Sequence, residues 1–204
     1  MKKINFITLL LLLCVLLSSR ADARPTLAVR AFDNKAERGT DVPAQAITDM
    51  MTTELYNAGL FSLVEREKLD YVAEEQRLAQ SGLMDPSTAP QAGMVKGARY
   101  SMTGAITVYY YNASGGIVYV PGIAGGGAGS KTAYVTLDIR IVDNSTSEVI
   151  YAAAEQGEAK REASGLITRF GGFASVSYGG ILATATRDSV IKHVETMQKI
   201  NWQE

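Results

Sequence analysis

From Tyr100 onward this sequence alternates, and that constrains its fold more than any other feature. Met102, Ile106, Val108 and Tyr110 alternate with Ser101, Thr103, Thr107 and Tyr109, the period of two that marks a strand with two distinct faces. The run continues through Ser114-Gly115-Gly116 into Ile117 to Val120, and the chain is expected to reverse near Gly125 to Ser130. Ala133, Val135, Leu137, Ile139 and Ile141 then form one face, opposite Tyr134, Thr136, Asp138 and Arg140. Residues 106–142 therefore predict a long β-hairpin. Asn144 to Ser147 is a turn, and Glu148 to Ala154 a strand. A second hairpin is expected over residues 158–180. In it, Leu166, Thr168, Phe170, Ala174, Val176 and Tyr178 share one face across a Gly171-Gly172 tip, against Gly165, Arg169, Ser175 and Ser177.

Hairpins of this length have two meanings. A membrane-crossing β-strand needs ~9–11 residues with an apolar face to lipid and a polar face to the lumen. Tyr109 to Tyr111, Tyr119, Tyr134 and Tyr178 supply rings suited to the headgroup level. Four strands cannot close a barrel, and open edges cannot face lipid with their backbone groups unpaired. A membrane role thus requires a ring of identical subunits sharing one barrel. The other meaning is a pair of soluble hairpins covering a core.

The remaining chain predicts an α/β domain. Leu27 to Phe32 is a buried strand and Asp33 to Asp41 a polar loop. Asp41 caps a helix with Pro43 in its first turn, Ile47, Met50, Met51 and Leu55 on its apolar side, and Gly59 as its stop. Phe61 to Val64 is a short strand, and Glu65 to Gln80 a helix carrying Leu69, Val72, Ala73, Gln76 and Leu78 on one side. Asp85 to Pro90 is a linker, and Ala92 to Lys96 a further helical turn. A last helix runs from about Ala183 to Gln198, with Val190, Ile191, Val194 and Met197 on its apolar side.

The first residues predict an address. Met1-Lys2-Lys3 is basic, Phe6 to Leu17 is apolar, and Ala21-Asp22-Ala23 offers a cleavage site, so residues 1–23 predict a secretory signal peptide. The apolar run is shorter than the ~20 residues a membrane helix needs. Cleavage would remove three cations and one carboxylate, taking the formal charge from −1 to −3. A nucleic-acid module would instead be basic. The single cysteine, Cys14, lies within this leader, and Leu13 stands where a lipidation signal wants a small residue. No thiol remains beyond residue 23 for disulfides, zinc or nucleophilic attack.

Catalytic chemistry has no foothold either. Gly125 to Thr132 fails the phosphate-loop pattern, because Ser130 stands before Lys131-Thr132 where glycine is required, and a strand rather than a helix follows. His193, the single histidine, has no cysteine for a zinc site and no identifiable nucleophile, which predicts a structural or surface residue. Neither an enzyme nor a cofactor is expected.

Across Leu137-Asp138-Ile139-Arg140-Ile141-Val142-Asp143-Asn144-Ser145-Thr146-Ser147-Glu148-Val149-Ile150 the chain resembles the curli-secretion channel (CsgG) family. Three further stretches agree in order and spacing: Leu27 to Phe32; Leu63-Val64-Glu65-Arg66-Glu67-Lys68-Leu69 with Ser81-Gly82-Leu83; and Gly97-Ala98-Arg99-Tyr100 leading to Gly104. The resemblance implies a periplasmic α/β sandwich like anticodon-binding domains over residues 24–204. It also implies two hairpins per subunit that join an oligomeric transmembrane β-barrel. Through such a barrel unfolded amyloid subunits leave by diffusion, without nucleotide hydrolysis. The implied partners are other copies of the chain, outer-membrane lipid and unfolded cargo. Related folds without a barrel serve as periplasmic rings or adaptors in cell-wall synthesis and polysaccharide export, which is the rival expectation.

Two departures stand out. Characterised channels are lipoproteins, and their pores are narrowed by a loop with aromatic and asparagine residues. The matching stretch here, Asn34 to Thr40, is shorter and contains no aromatic residue, so no constriction residue carries over. Lys35, Glu37 and Arg38 are the candidate pore-lining residues instead. Thr136, Asp138, Arg140, Arg169, Ser175 and Ser177 are candidates for a polar lumen face.

Overall fold

A computed structural model describes residues 24–37, 42–120, 124–167 and 180–202. Six strands form one sheet: β1 (Thr26–Val29), β2 (Asp33–Asn34), β3 (Ser62–Leu63), β4 (Tyr100–Val120), β5 (Ala124–Asp143) and β6 (Val149–Ile167). Their order is β3-β1-β4-β5-β6, with β2 also on β4. The short strands β1, β2 and β3 pair in parallel, whereas β4, β5 and β6 form an antiparallel meander. Three helices are described: α1 (Ala44–Ala58), α2 (Leu69–Gln80) and α3 (Ile181–Met197).

The expected α/β architecture is present, and alternation along β5 explains its core. Ala133, Val135, Leu137, Ile139 and Ile141 are all buried, and they pack with Ile47, Met51 and Leu55 of α1 and Val190, Val194 and Met197 of α3. Fully burying one such aliphatic side chain contributes about 1.5–3 kcal/mol. Trp202 closes this core, its ring 4.8 Å from Phe61 and its Nε1–H donating to the Met197 carbonyl at 2.9 Å.

Two glycines let backbones and rings approach. A Cβ on Gly104 would stand 2.7 Å from the buried ring of Phe32. A Cβ on Gly157 would stand 1.9 Å from the Ala185 carbonyl oxygen, because α3 lies directly on the backbone of β6. The expected helix stop at Gly59 is also present: it adopts φ 67°, and its N–H donates to the Leu55 and Tyr56 carbonyls at 3.2 Å.

Several expectations are corrected. A β-bulge between Ile106 and Val108 switches the faces of β4, so Ile106 is buried but Val108 and Tyr110 turn away from the core. Val120 pairs with Ala124, which places the reversal of chain direction between them; Gly125 to Ser130 is strand. The strand expected to end near Ala154 runs on to Ile167 as one unbroken β6. Within the loop expected at Asp33 to Asp41, Asp33 and Asn34 pair with Ala105 and Ile106. Helix α2 begins at Leu69 rather than Glu65, since the Glu65 carboxylate accepts from the N–H groups of Arg66 and Glu67 at 2.8 and 2.7 Å, fixing a turn there. Ala92 to Lys96 forms no helix, and none of the residues of α2 is buried. Ile191 is 40% exposed, and the apolar side of α3 takes in His193 instead. The expected leader (residues 1–23), the expected cap Asp41 and the part of the expected second hairpin beyond Ile167 lie outside the described residues.

Candidate functional site

The site follows from strand lengths. Beyond the row of Tyr111, Ala133 and Ala159, nine further residue pairs join β4 to β5, from Asn112–Thr132 to Val120–Ala124. At ~3.3 Å per residue they carry the sheet roughly 30 Å past its helix-covered body. Strand β6 accompanies β5 along this extension as far as Ile167. On the outer strands, Tyr111 to Gly116 and Lys160 to Glu162 are exposed.

The extension has two chemically different faces. Tyr109, Tyr111, Ala113, Gly115, Gly129, Ala133 and Ala159 continue the face that forms the core, and this face is apolar apart from the Lys131 and Arg161 row. Opposite stand Tyr110, Asn112, Ser114, Ser130, Thr132, Thr136, Gln156, Glu158, Lys160 and Glu162, and register adds Val118, Val120 and Leu166, so Leu166 falls on this face and Gly165 on the other, the reverse of the expected assignment. There Ser114 and Ser130 share a hydrogen bond at 3.0 Å, Tyr110 and Tyr134 pair at 5.6 Å between ring centroids, and Lys160 meets Glu162 at 2.7 Å. Such cross-strand contacts stabilise a pair of strands by a few tenths of a kcal/mol, up to about 1 kcal/mol each.

The candidate residues distribute accordingly. Thr136 stands on the polar face at the base of the extension. Asp138 and Arg140 share that face but lie lower, beside Ala105 and Thr103 in the body. Lys35 and Glu37 are exposed and border a shallow groove with Thr107, Val108, Tyr109 and Tyr110, tied to β4 by the Lys35 N–H donating to the Ile106 carbonyl at 2.9 Å. The structure thus brings Lys35, Glu37 and Thr136 to the junction of body and extension. Arg38, Arg169, Ser175 and Ser177 lie outside the described residues.

A buried polar pair secures α3 beneath this junction. His193 is fully buried, with Nε2 2.9 Å from the Leu137 carbonyl and Nδ1 2.9 Å from the Tyr151 hydroxyl. A carbonyl can only accept, so Nε2 carries the proton, Nδ1 accepts, and Tyr151 donates. Burial holds the His193 pKa below the usual histidine range. Burial and the nearby Glu155 charge push the Tyr151 phenol up to about 12. The structural role expected for His193 is what the fold shows, but Tyr151 and Leu137 lie too far away in sequence to have been named as its partners.

This has a pH consequence. The folded ring resists protonation, whereas the unfolded ring takes a proton near pH 6.5. Stability is therefore complete above about pH 6.5 and falls as the pH drops below it. The melting temperature is expected to fall more steeply from about pH 7 to about pH 5 in the native protein than in His193→Gln, by calorimetry. Equal slopes would remove His193 from the acid response.

Residues from each of the stretches that carry the resemblance are tied together at the opposite end of the sheet. Val64 N–H donates to Leu27 O at 2.9 Å, Arg99 N–H to Thr26 Oγ1 at 2.9 Å, and Asn144 Nδ2 to Ala98 O at 2.9 Å. Asp143 turns the chain by accepting from Ser145 N–H at 2.7 Å. That bond first, with smaller help from Arg99, holds its carboxyl below the usual range. These residues tie strand ends together and mark the fold. No pair of reacting groups is found among them.

Comparison with known proteins follows the same outline. The family model for the curli production assembly/transport component CsgG matches residues 13–204. A protein of Neisseria meningitidis serogroup B, named provisionally as a lipoprotein, is 28% identical over 193 residues, covering 88% of this chain and 79% of its own. Among solved structures, the PelC dodecamer of Paraburkholderia phytofirmans is 16% identical, with a TM-score of 0.43 over 87% of this chain and 89% of that one. A hypothetical protein of Chlamydia trachomatis is 11% identical, with a TM-score of 0.48 over 87% and 96%. The family match covers the α/β body and the extension, and the chain belongs to the CsgG family.

Proposed function

We propose that this chain is an exported subunit of a homo-oligomeric outer-membrane pore, through which unfolded, curli-like protein passes by diffusion without nucleotide hydrolysis. The observation that carries this is the two-faced extension, whose outer edges on β4 and β6 have no pairing strand among the described residues. Edges that face lipid must be paired. A ring of identical chains pairs them, the return strand of the hairpin at 158–180 meeting β4 of the next copy. Residues 1–23 deliver the chain across the inner membrane. Membership of a family described as an assembly/transport component supports an envelope role, as does a relative named provisionally as a lipoprotein.

Each residue set then has a task. Thr136, Arg169, Ser175 and Ser177 supply hydroxyls and charge to the lumen, offering an unfolded chain polar contacts. Asp138 and Arg140 border the periplasmic mouth. Lys35, Glu37 and Arg38 ring the entrance at the foot of the barrel. Planar-bilayer recording of the purified protein tests this. Wide single-channel steps are expected, and Lys35→Glu with Arg38→Glu shifts ion selectivity towards cations. Failure of the purified protein to conduct, or a selectivity unmoved by this double charge reversal, would count against the pore and its entrance respectively.

A further inference from the structure

The arm between β3 and β4 carries a helix that its own chain leaves uncovered. Arg66 donates to the Lys96 carbonyl at 2.7 Å, tying the two ends of the arm together, and Glu67 accepts from the Ala31 N–H at 3.3 Å. From that fixed root projects α2, none of whose residues is buried and on which no strand or helix packs closely. One side of it is nevertheless apolar. Tyr71, Val72, Leu78 and Ala79 stand at the spacing i, i+1, i+7 and i+8, around Glu75. Tyr71 is 70% exposed, and Val72 and Leu78 are exposed with it. A helix of 12 residues is marginal in water unless such a side is covered.

The other flank of the sheet carries an edge that is covered only in part. An antiparallel edge strand directs the N–H and carbonyl of every second residue outward. On β6, Lys192 Nζ donates to the Gln156 carbonyl at 2.7 Å and Asp188 accepts from the Glu158 N–H at 3.0 Å, so side chains of α3 occupy the edge there. Ala154 and Ala152 continue that parity; both are exposed, and no further strand pairs with β6 among the described residues. Val149, at the start of the strand, is 53% exposed. A covering helix is one way in which proteins protect such an edge. Within one chain β3, which leads into α2, stands beyond β1, β4 and β5, about 19 Å from β6 at ~4.8 Å per strand. A ring in which β4 meets the hairpin beside β6 of the next copy brings the two flanks together. We propose that α2 of each subunit docks on the β6 edge of a second copy, with Tyr71, Val72 and Leu78 against Val149, Ala152 and Ala154. Glu75 then accepts from an outward N–H of that edge, as Asp188 does at Glu158. The contact carries the subunit interface from the barrel down into the body, and it rests on the pore reading above.

Cysteine cross-linking tests it, using the full chain purified from the cell envelope; the one native cysteine, Cys14, lies in the expected leader. Val72→Cys combined with Val149→Cys, treated with a short bismaleimide, is expected to give a ladder of covalent multimers on a denaturing gel. Each single variant gives monomer only. Leu78→Asp is expected to raise the concentration needed for ring assembly roughly tenfold, the effect of losing one well-packed apolar anchor. A ring that yields no ladder overturns the docking and leaves the barrel standing. So does a faster-migrating monomer, linked within one chain, or a Leu78→Asp protein that assembles at the native concentration. A native protein that forms no ring overturns both.

Discussion

Replacing Gly157 by alanine is expected to cost about 3 kcal/mol or more, the upper range for forcing atoms into a filled core. The added Cβ would lie 1.9 Å from Ala185 O and 2.4 Å from Ser189 N, both backbone atoms of α3. No rotamer relieves that contact, so the helix must lift off β6. Lifting it stretches the Ser189 hydroxyl bond to Glu155 O, now 2.7 Å, and the His193 bond to Leu137 O, now 2.9 Å. A fall in melting temperature of roughly 10 °C follows for a chain of this size. Because the obstacle is backbone, Ala185→Gly does not rescue it. Gly104→Ala offers the contrast: there the obstacle is the Phe32 ring at 2.7 Å, and Phe32→Leu should restore much of the loss. A Gly157→Ala protein that melts within a degree or two of the native one would show that α3 sits further from the sheet.

The second large effect concerns two adjacent residues. Gly127 and Ala128 sit near the middle of the extension, opposite Ile117 and Gly116, and alternation puts them on different faces. Gly127 belongs to the core-side face, which the pore reading turns towards lipid. Arginine at the bilayer midplane costs about 2–4 kcal/mol per substituted strand, roughly 30- to 800-fold in insertion. Every copy in a ring carries that cost. Gly127→Arg is therefore expected to disappear from the outer-membrane fraction, while Ala128→Arg, facing the lumen, inserts and narrows the pore. Immunoblots of fractionated envelopes read both outcomes. Equal insertion of the two variants would mean that neither face meets lipid.

Much of the fold was legible because β5 obeys one period throughout, and all five of its expected core residues are buried. On β4 the same reasoning stops at Thr107. The bulge there is set by pairing with β2 and β5, and a run of apolar and aromatic residues on both parities conceals the switch. Val108 and Tyr110 consequently lie on the face opposite to the one their alternation predicts. Glycine richness at Gly125 to Ser130 suggested a turn, yet pairing on both sides holds those residues as strand. Helix α2 shows the converse. Its amphipathic spacing predicts burial, but Val72 is 38% exposed and Leu78 41%, because spacing gives a face without saying what covers it. Gly157 carried a usable signal, since an isolated glycine within a strand marks close backbone approach. In the sequence Lys131 falls in a stretch that fails the phosphate-loop pattern; its place beside Arg161 follows only from strand register.

Electron cryo-microscopy of the native protein, extracted from outer membranes in detergent, tests most directly whether the extensions of several chains close one barrel. The pore reading predicts a closed ring of identical subunits with a detergent belt roughly 25 Å tall around strands β4 to β6, and the α/β bodies below it. A monomer or belt-free ring, recovered without detergent from the soluble periplasmic fraction, would contradict it and support a periplasmic adaptor instead.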